Sequence, residues 1–532
     1  MSQPSSATIY DPSSRRLEGG AISSRDSQLY RYAPYSCDAL SDREQTRPPN
    51  NRPPSPSIHI LDDDSLLNIF CLYRPVLINE DEANVSNMLE RGEWRRKHWW
   101  LKLAHVCRRW RTLVLASTSY LRIGLVCTYD SPVRDMLAPW PPLPLIMDYA
   151  DNGHELTVEE VQRICLTLQY RDRIRRIRLS VHQAYLRNIV TAFIDKEFPM
   201  LECLIIKISD IHSWPLGLKL PDTLRAPRLR HLVLTNFIFP ITSPLLTTTM
   251  HLVTLSLNFK FVGHCQPDDL LKRLALLPRL ELLAIIFNLR VRDNGIEEQV
   301  SHTQFTTHVT LPNLRWFEFQ GTSAYLEALL PGMSTPLLEN FQLVMTLFGQ
   351  LTSSIPSLLE FMNAAENFSP RSASFHFHGW GVDVRLYPCK KVMMSFSSIM
   401  VLCRVPGQQL SFVAQLSNVL SPVFSAVVDL TIYHYLPSTQ HDEVNCTQWR
   451  KLLRSFRNVK TLHMANVFDE DLFRSLRSDG EPPLGPLPEL KELVCPATGR
   501  AREALTAFIT AREAEGRPVR LSTRYIRKNL PR

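Results

Sequence analysis

The sequence predicts an α/β protein in which a short helical module is followed by an irregular solenoid of strand–helix repeats with a curved parallel sheet. Three observations predict this fold class. An apolar pattern close to L-x-x-L-x-L returns along most of the chain, helical patterns lie between its copies, and two amphipathic helical segments precede the first copy.

The composition favours a binding protein over an enzyme. A length of 532 residues predicts three or four domains or one long repeat array. Hydrophobic residues make up 44% and charged residues 21%, which is ordinary for a chain with a buried core. The net charge of +8 is mild, so nucleic acid is an unlikely partner. Glycine is scarce, and the chain has no Walker loop, H-E-x-x-H or G-x-S-x-G motif, so we expect neither catalysis nor a cofactor.

The cysteines and the apolar stretches bear on the compartment. The 11 cysteines lie apart, mostly within apolar runs, which is typical of reduced thiols in core positions. The first residues lack the order of a secretory signal. The most apolar stretches, 274–287 and 392–403, fall short of the roughly 20 residues that a membrane span needs. These features predict a cytoplasmic and/or nuclear protein without a membrane partner.

The two ends of the chain are predicted to lie outside the folded part. Residues 1–57 are rich in serine and proline and poor in bulky aliphatic side chains, which predicts a disordered tail. Residues 526–532 form a short basic C-terminal end.

Residues 58–125 form the predicted helical module. Three aspartates at 62–64 favour a helix start, and the apolar residues that follow share one helical face. These residues are Leu66, Ile69, Phe70 and Tyr73. A second helix is predicted from Trp99 to about Ser117, with its own apolar face. That face consists of Leu103, Val106, Cys107, Trp110 and Val114. The charged residues 79–98 between them predict an exposed loop or a poorly packed helix.

A linker, 126–142, is predicted to lead into the repeat region, 143–525. A first strand is expected at Leu143–Tyr149, and apolar triplets then recur about every 30 residues. The triplets are Ile174/Ile177/Leu179, Leu201/Leu204/Ile206, Leu229/Leu232/Leu234, Leu252/Leu255/Leu257, Leu280/Leu283/Ile285, Leu314/Phe317/Phe319, Leu338/Phe341/Leu343, Val427/Leu430/Ile432, Val459/Leu462/Met464 and Leu490/Leu493/Cys495. In the long gap, Phe375/Phe377 and Met394/Phe396 could supply two further strands.

Prolines and predicted helices between the triplets support one strand per repeat. Several copies begin Pro-x-Leu, as in Pro199-Met200-Leu201, and proline there ends the preceding helix and favours an extended chain. Helices are predicted between the strands, at Thr157–Tyr170, Ala184–Phe198, Pro267–Leu277 and Ala501–Glu515. An α/β domain without repeats remains the alternative, but so many copies in rough register favour a solenoid.

The segments Ile60–Phe70 and Leu103–Arg111, with Val106-Cys107-Arg108-Arg109-Trp110, resemble an F-box. The whole chain is similar to the F-box proteins with leucine-rich repeats of basidiomycete fungi, although Asp62 stands where that family usually has proline. The resemblance implies a substrate-recognition subunit of a ubiquitin ligase, docked to a Skp-type adaptor and through it to a cullin scaffold. The implied adaptor-binding residues are Leu61, Leu66, Ile69, Phe70, Val106, Cys107 and Trp110. The alternative is a leucine-rich-repeat scaffold unconnected to ubiquitin, in which 58–125 caps the solenoid.

In such a repeat the residues between the buried strand positions line one continuous concave face, because strand side chains alternate. We expect an unknown protein substrate to bind this face. Its predicted target-binding residues are Arg176, Arg178, His231, Asn258, Trp316, Glu318, Gln342, Tyr433 and His463, with Thr235, Thr254 and Asn340 beside them.

Two further patterns could indicate a binding site but favour plain structural roles. His376-Phe377-His378 has a spacing that can bind zinc, but the sequence places no third ligand, so a polar strand face is favoured and no metal is expected. The arginines of 171–178 could attract an acidic group, but a solvated helix-to-strand face is favoured.

Overall fold

The structure is a computed structural model that describes residues 60–73, 99–129, 133–137, 142–149, 156–208, 220–236, 239–259, 265–287, 307–346, 356–364, 368, 370–388, 397–402, 408–434, 443–465, 470–477, 485–495 and 502–522. The predicted tail 1–57, the charged segment 79–98, the basic end 526–532 and Met394/Phe396 lie outside the described residues. The described residues from Asp62 onward belong to one compact unit.

The described residues form an α/β protein with one large, mostly parallel sheet of 16 strands and a separate two-stranded sheet. The strands of the large sheet are β1 (Leu125–Cys127), β2 (Leu145–Tyr149), β3 (Ile174–Val181), β4 (Cys203–Ile208), β5 (His231–Thr235), β6 (Thr254–Phe259), β7 (Leu282–Phe287), β9 (Trp316–Thr322), β11 (Asn340–Thr346), β12 (Pro370–His378), β13 (Gly381–Pro388), β14 (Ser397–Leu402), β15 (Asp429–His434), β16 (Thr461–Ala465), β17 (Glu492–Val494) and β18 (Arg520–Ser522). The small sheet pairs β8 (Val309–Thr310) with β10 (Met333–Ser334).

Helices connect the strands. They are α1 (Asp63–Tyr73), α2 (Trp99–Ala104), α3 (Arg108–Ala116), α4 (Val133–Leu137), α5 (Val158–Leu168), α6 (Gln183–Ala192), α7 (Pro244–Thr247), α8 (Pro267–Leu274), α9 (Ser323–Leu329), α10 (Pro356–Ala364), α11 (Gln408–Val419), α12 (Ser421–Phe424), α13 (Glu443–Arg454), α14 (Glu470–Ser475) and α15 (Arg502–Ala514). Helices that follow one another along the sheet pack together, as α5 does on α6 and α13 on α14. No helix in the described ranges combines the length and apolarity needed to cross a bilayer.

The predicted apolar triplets set the register of the sheet. Leu204 of β4 pairs with Leu232 of β5, Leu232 with Leu255, and Leu255 with Leu283. The second row runs from Leu179 through Ile206, Leu234, Leu257, Ile285, Phe319, Leu343, Ile399, Val384, Phe375 and Ile432 to Met464. These side chains are buried, and we call the two rows the core rows. The prediction of one parallel strand for each triplet is confirmed for every triplet.

The Pro-x-Leu sequences form turns that lead into strands. The N–H of Leu201 donates to the carbonyl of Phe198 at 3.2 Å, so Pro199 occupies the second position of a four-residue turn. Leu229, Leu280, Leu314 and Leu490 make the same bond to the residue before their prolines, at 3.0 to 3.3 Å. Proline suits this position because its fixed φ matches the turn. The repeated proline therefore shapes the turn itself, beyond ending a helix.

The segment 370–402 breaks the one-strand-per-repeat order. The order across the sheet is β11-β14-β13-β12-β15, so three consecutive strands return toward β11 before the chain crosses to β15. β13 pairs antiparallel with both β12 and β14, whereas β14 runs parallel to β11 and β12 parallel to β15. Phe375 and Phe377 lie in β12 as predicted, but the gap holds a three-stranded insertion rather than two further repeats.

A cluster of aromatic side chains fills the core behind β6, β7 and β9. Phe259 and Phe287 stack at 5.4 Å between ring centroids, and Tyr325 of α9 meets Phe287 at 4.8 Å and Phe319 at 5.9 Å. Gly321 is required beside them, since a Cβ there would lie 2.7 Å from Cζ of Phe319. The absence of a side chain at this position lets the rings meet.

Two boundaries differ from the prediction. The sheet begins earlier than expected, because Leu125–Cys127 pairs with Leu145–Met147 across the predicted linker. This strand is three residues long, too short to show a pattern. The helix predicted at Ala184–Phe198 ends at Ala192. Asp195 then adopts a left-handed φ of 53°, and its N–H donates to Thr223 Oγ1 at 2.8 Å, which fixes the chain outside the helix.

Candidate functional site

The first candidate site lies on α1 and α3, whose contact is built from one aromatic pair and two polar links. The rings of Phe70 and Trp110 meet edge to face, with centroids 4.7 Å apart. Arg109 Nη2 donates to Asp63 Oδ1 at 2.7 Å. Tyr120 Oη donates to Asn68 Oδ1 at 2.8 Å, beyond the end of α3. The helix pair therefore has its own apolar centre with polar contacts around it.

Asp62 fixes the start of α1. Its Oδ1 accepts a hydrogen bond from the N–H of Ser65 at 2.7 Å, and this bond lowers the pKa of the Asp62 carboxyl. The arrangement is a helix N-cap, in which a carboxylate satisfies a free backbone donor at the positive end of the helix. An aspartate at this position is thus explained by helix capping.

The second helix predicted for the module is divided in two, which corrects the prediction of one helix from Trp99 to Ser117. Cys107 is extended, at φ −157° and ψ 171°, and its Sγ accepts from the N–H of Trp110 at 3.5 Å. Arg111 Nε donates to the carbonyl of Ala104 at 3.0 Å and thereby satisfies the end of α2. Val106 lies in the break and is exposed, so it leaves the apolar face to which its spacing assigned it.

The seven predicted adaptor-binding residues fall into three groups. Leu66 and Phe70 are fully buried. Leu61, Cys107 and Trp110 are half-buried. Ile69 and Val106 are exposed. Of this set, only Ile69 and Val106 are exposed to another molecule, while Leu66 and Phe70 hold the helices together.

An exposed apolar strip runs along α1 beside its buried face. Ile69 is 41% exposed, Leu72 84% and Tyr73 50%. Their i, i+3, i+4 spacing puts them on neighbouring positions of one helix surface. Leu72 does not fit the period of the buried face, so periodicity did not predict it as a site residue. The signal in the sequence was an apolar residue outside that period.

The second candidate site is the face of the large sheet opposite the core rows, which we call the second face. Side chains alternate along a strand, so the residues between the core positions point to this side. One row runs through Arg178, Ile205, Val233, Ser256, Ala284, Glu318, Gln342 and Ser398. All nine predicted target-binding residues occupy second-face positions by register.

Several of these residues are engaged within the protein. Arg178 lies 3.7 Å from Asp148 in a largely buried ion pair. His231 Nδ1 shares a hydrogen bond with Thr254 Oγ1 at 3.1 Å. His463 is half-buried, and burial lowers the pKa of its imidazole. Arg176, Asn258 and Gln342 are half-buried.

The expectation that Trp316 and Thr254 lie on an open surface is wrong. Trp316 is only 8% exposed, and Thr254 is buried. Trp316 pairs with Leu282, which packs on a small apolar cluster of Cys203, Ile205 and Val233. The indole is buried because a large apolar ring beside such a cluster is more stable away from water. The second face therefore has apolar contacts of its own.

Glu318 lies two residues beyond Trp316 on β9 and shares its face. Burial raises the pKa of the Glu318 carboxyl to about 7. Its cross-strand neighbours are Ala284 and Gln342, neither of which is charged. Trp316 Nε1 is buried and has no hydrogen-bond partner among the described residues. A hydrogen-bond donor and a carboxylate acceptor thus lie side by side in a poorly solvated place.

A row of stacked rings crosses β12 and β15. Tyr433 stacks on His376 at 4.3 Å, His376 on His378 at 6.3 Å, and His378 on Trp380 at 5.0 Å. Burial, together with Arg385 and His378, lowers the pKa of His376 to about 3, so this ring is neutral. Within the described ranges no three metal-ligating side chains come close enough to hold an ion. The arrangement is that of a polar strand face.

Comparison with known proteins adds no assignment. No protein-family model matches the chain, and no curated protein is similar enough to it to count as a relative.

Proposed function

We propose that the protein is the substrate-recognition subunit of a Skp–cullin–F-box ubiquitin ligase. In this proposal α1–α3 are an F-box that docks a Skp-type adaptor, and the sheet is an irregular leucine-rich-repeat solenoid that binds a protein target. The chain performs no bond chemistry. It works in the cytoplasm and/or nucleus by holding the target near the ubiquitin-loaded enzyme on the cullin scaffold, where raised local concentration promotes transfer.

The observation that carries this proposal is the apolar strip of Ile69, Leu72 and Tyr73 on α1. Apolar residues at i, i+3 and i+4 on a helix surface are the pattern by which a helix packs into the groove of a partner. Val106, in the turn before α3, is a further exposed apolar residue of the module. Contiguous exposed apolar residues of this kind mark interaction sites more often than isolated ones do.

The order of the sheet supports the second half of the proposal. From β1 to β7 each strand pairs in parallel with the next strand in the sequence, and the same order returns from β15 to β18. Strands joined by helices in sequential parallel order are typical of a strand–helix solenoid. The second face of such an array is the usual place for a large partner.

Adaptor binding by the purified full-length protein tests the proposal. Ile69→Glu with Leu72→Glu removes two apolar contacts of about 1.5 kcal/mol or more each, so we expect affinity to fall about a hundredfold. Val158→Glu with Met250→Glu is the matched control, because both residues are more than half exposed and lie elsewhere, at 67% and 66%. Isothermal titration calorimetry measures all three proteins. Phe70 and Trp110 are poor test positions, since their rings join α1 to α3.

The competing function is an interaction scaffold unconnected to ubiquitin, with α1–α3 as a cap on the sheet. It is favoured by the short connection from α3 to β1 and by the burial of Val114 and Leu121. No adaptor binding at micromolar concentration, with the protein folded, would establish this alternative. Equal binding by the strip variant and the wild type would place the adaptor on another surface.

A further inference from the structure

We infer that Trp316 and Glu318 form the anchor point for a lysine or arginine of the bound protein segment. The inference rests on the proposed function only in that the second face binds protein. It names the chemistry that the target must carry, which neither the fold nor the F-box resemblance gives.

The cross-strand neighbours of Trp316 and Glu318 carry no charge. Trp316 pairs across the sheet with Leu282 and Asn340, and Glu318 with Ala284 and Gln342. The next second-face residue on the same strand is Gln320. All of these neighbours are uncharged, so Glu318 is a single carboxylate within an apolar and amide surface.

Two other charged groups of the second face, Arg178 and Arg385, are already paired. Arg178 lies 3.7 Å from Asp148, and Arg385 Nε donates to Asp383 Oδ2 at 2.6 Å. Both of these arginines therefore have an acid beside them. Glu318 has no ion pair of this kind within the part of the chain that the structure describes. The unbalanced charge is what a ligand would neutralise.

The carboxylate of Glu318 defines the ligand. Glu318 is half-buried, and burying a carboxylate without a cation is costly, which is why its pKa is raised to about 7. A basic residue in an extended segment supplies the cation, since its side chain donates to the carboxylate. Trp316, only 8% exposed, provides an apolar neighbour at the adjacent second-face position of the same strand. An anionic ligand such as a phosphate or nucleic acid would meet the carboxylate and be repelled.

A peptide array tests the inference with the full-length protein as probe. The peptides are capped heptamers that differ only in the central residue, which is arginine, lysine, citrulline, norleucine or glutamate. We expect arginine and lysine peptides to bind at least about tenfold more tightly than the citrulline and norleucine peptides, because only the cations pair with Glu318. Glu318→Gln should abolish this preference.

The same site predicts a pH dependence. At pH 6 most Glu318 carboxyls are protonated, so affinity for the arginine peptide should be about tenfold lower than at pH 8, as measured by fluorescence anisotropy. Arginine does not titrate in this range, and the residues facing Glu318 from β7 and β11, Ala284 and Gln342, do not titrate either. Binding by Glu318→Gln should therefore be independent of pH.

Glu492→Gln is the control. Glu492 lies on the second face near the other end of the sheet, opposite Thr461 and Arg520, and its substitution should leave the preference unchanged. Equal binding of charged and neutral peptides by the wild type, or an undiminished preference in Glu318→Gln, overturns the inference. Adaptor binding is scored separately on the same proteins. If cationic preference persists without adaptor binding, the ligase proposal fails and the anchor point stands.

Discussion

The Phe70 ring meets the Trp110 ring at 4.7 Å between centroids and 61° between planes, and this contact joins α1 to α3. Phe70 is fully buried, whereas Leu72, two residues later on the same helix, is 84% exposed. One short helix thus carries both the residue that holds the module together and the residue that it presents to solvent.

We expect Phe70→Ala to destabilise the module strongly. Removing a buried aromatic ring from a packed site costs about 3–5 kcal/mol, because the cavity is only partly refilled. Hydrogen–deuterium exchange should show loss of protection in α1 and α3. Leu72→Ala is the internal comparison and should change the free energy of unfolding by less than about 0.5 kcal/mol. Equal protection in both variants would mean that the aromatic contact is unimportant for the helix pair.

Gly321→Ala should destabilise the sheet. The new Cβ would lie 2.7 Å from Phe319 Cζ and 3.1 Å from Phe287 Cδ2, and those rings are held by Phe259 and Tyr325. Overpacking of this kind costs about 1–3 kcal/mol, which chemical denaturation will measure. Gly516→Ala offers a comparison, because nothing lies within 4 Å of it and only its φ of 71° opposes a side chain. The expected cost there is about 1 kcal/mol.

The raised pKa of Glu318 predicts how stability varies with pH. The folded state binds the proton up to about pH 7, whereas an unfolded glutamate loses it near 4.5. Between these values the folded state holds more protons, so the stability contributed by this group falls as pH rises and stays low above pH 7. Glu318→Gln should be more stable than wild type at pH 8, by up to about 3 kcal/mol, and similar to it near pH 4.5.

Thermal unfolding of the wild type and Glu318→Gln across this pH range checks the direction of the predicted stability difference. A wild type that is the more stable protein at pH 8 would show that the carboxylate has a partner in the folded state.

Buried thiols should resist alkylation in the native protein. Burial raises the pKa of Cys127 and Cys265 to about 12 and that of Cys495 to about 11. The thiolate is the reactive form, so iodoacetamide at pH 8 should label these residues only after denaturation. Mass spectrometry of native and guanidinium-unfolded samples gives the comparison. Rapid native labelling of Cys265, which contacts the Tyr325 hydroxyl at 3.7 Å, would show that the aromatic cluster opens readily.

The repeated triplets predicted the register of the sheet, because the same spacing produces the same strand in each repeat. Leu232, Leu255 and Leu283 pair as their positions in the motif require. The insertion of β12–β14 could not be predicted in this way. Inward and outward side chains alternate along its strands as in any β-strand. Their antiparallel pairing, however, depends on the tight turn before Gly381 and not on a repeat. A Cβ at Gly381 would lie against the carbonyl of Val401, so this turn admits only glycine.

The sequence predicted which side chains point to the second face, but not how deeply they are buried. Alternation along β9 puts Trp316 and Glu318 on that side, as expected. Their burial depends on what lies beside them after folding, here Leu282 and the apolar cluster around Val233. Neighbours that come from separate strands cannot be read from one strand's pattern. In the module, likewise, the break at Cys107 depends on a hydrogen bond from Trp110 that periodicity does not show.

Among the strands that the structure describes, the sheet ends on β1 and β18, each only three residues long. A short border offers few free backbone N–H and C=O groups, so it is a poor template for β-augmentation by a foreign chain or for growth into fibres. Tapering at both margins therefore disfavours edge-to-edge association. In the proposed function, recognition of the target would then depend on side chains, where selectivity can be tuned one residue at a time.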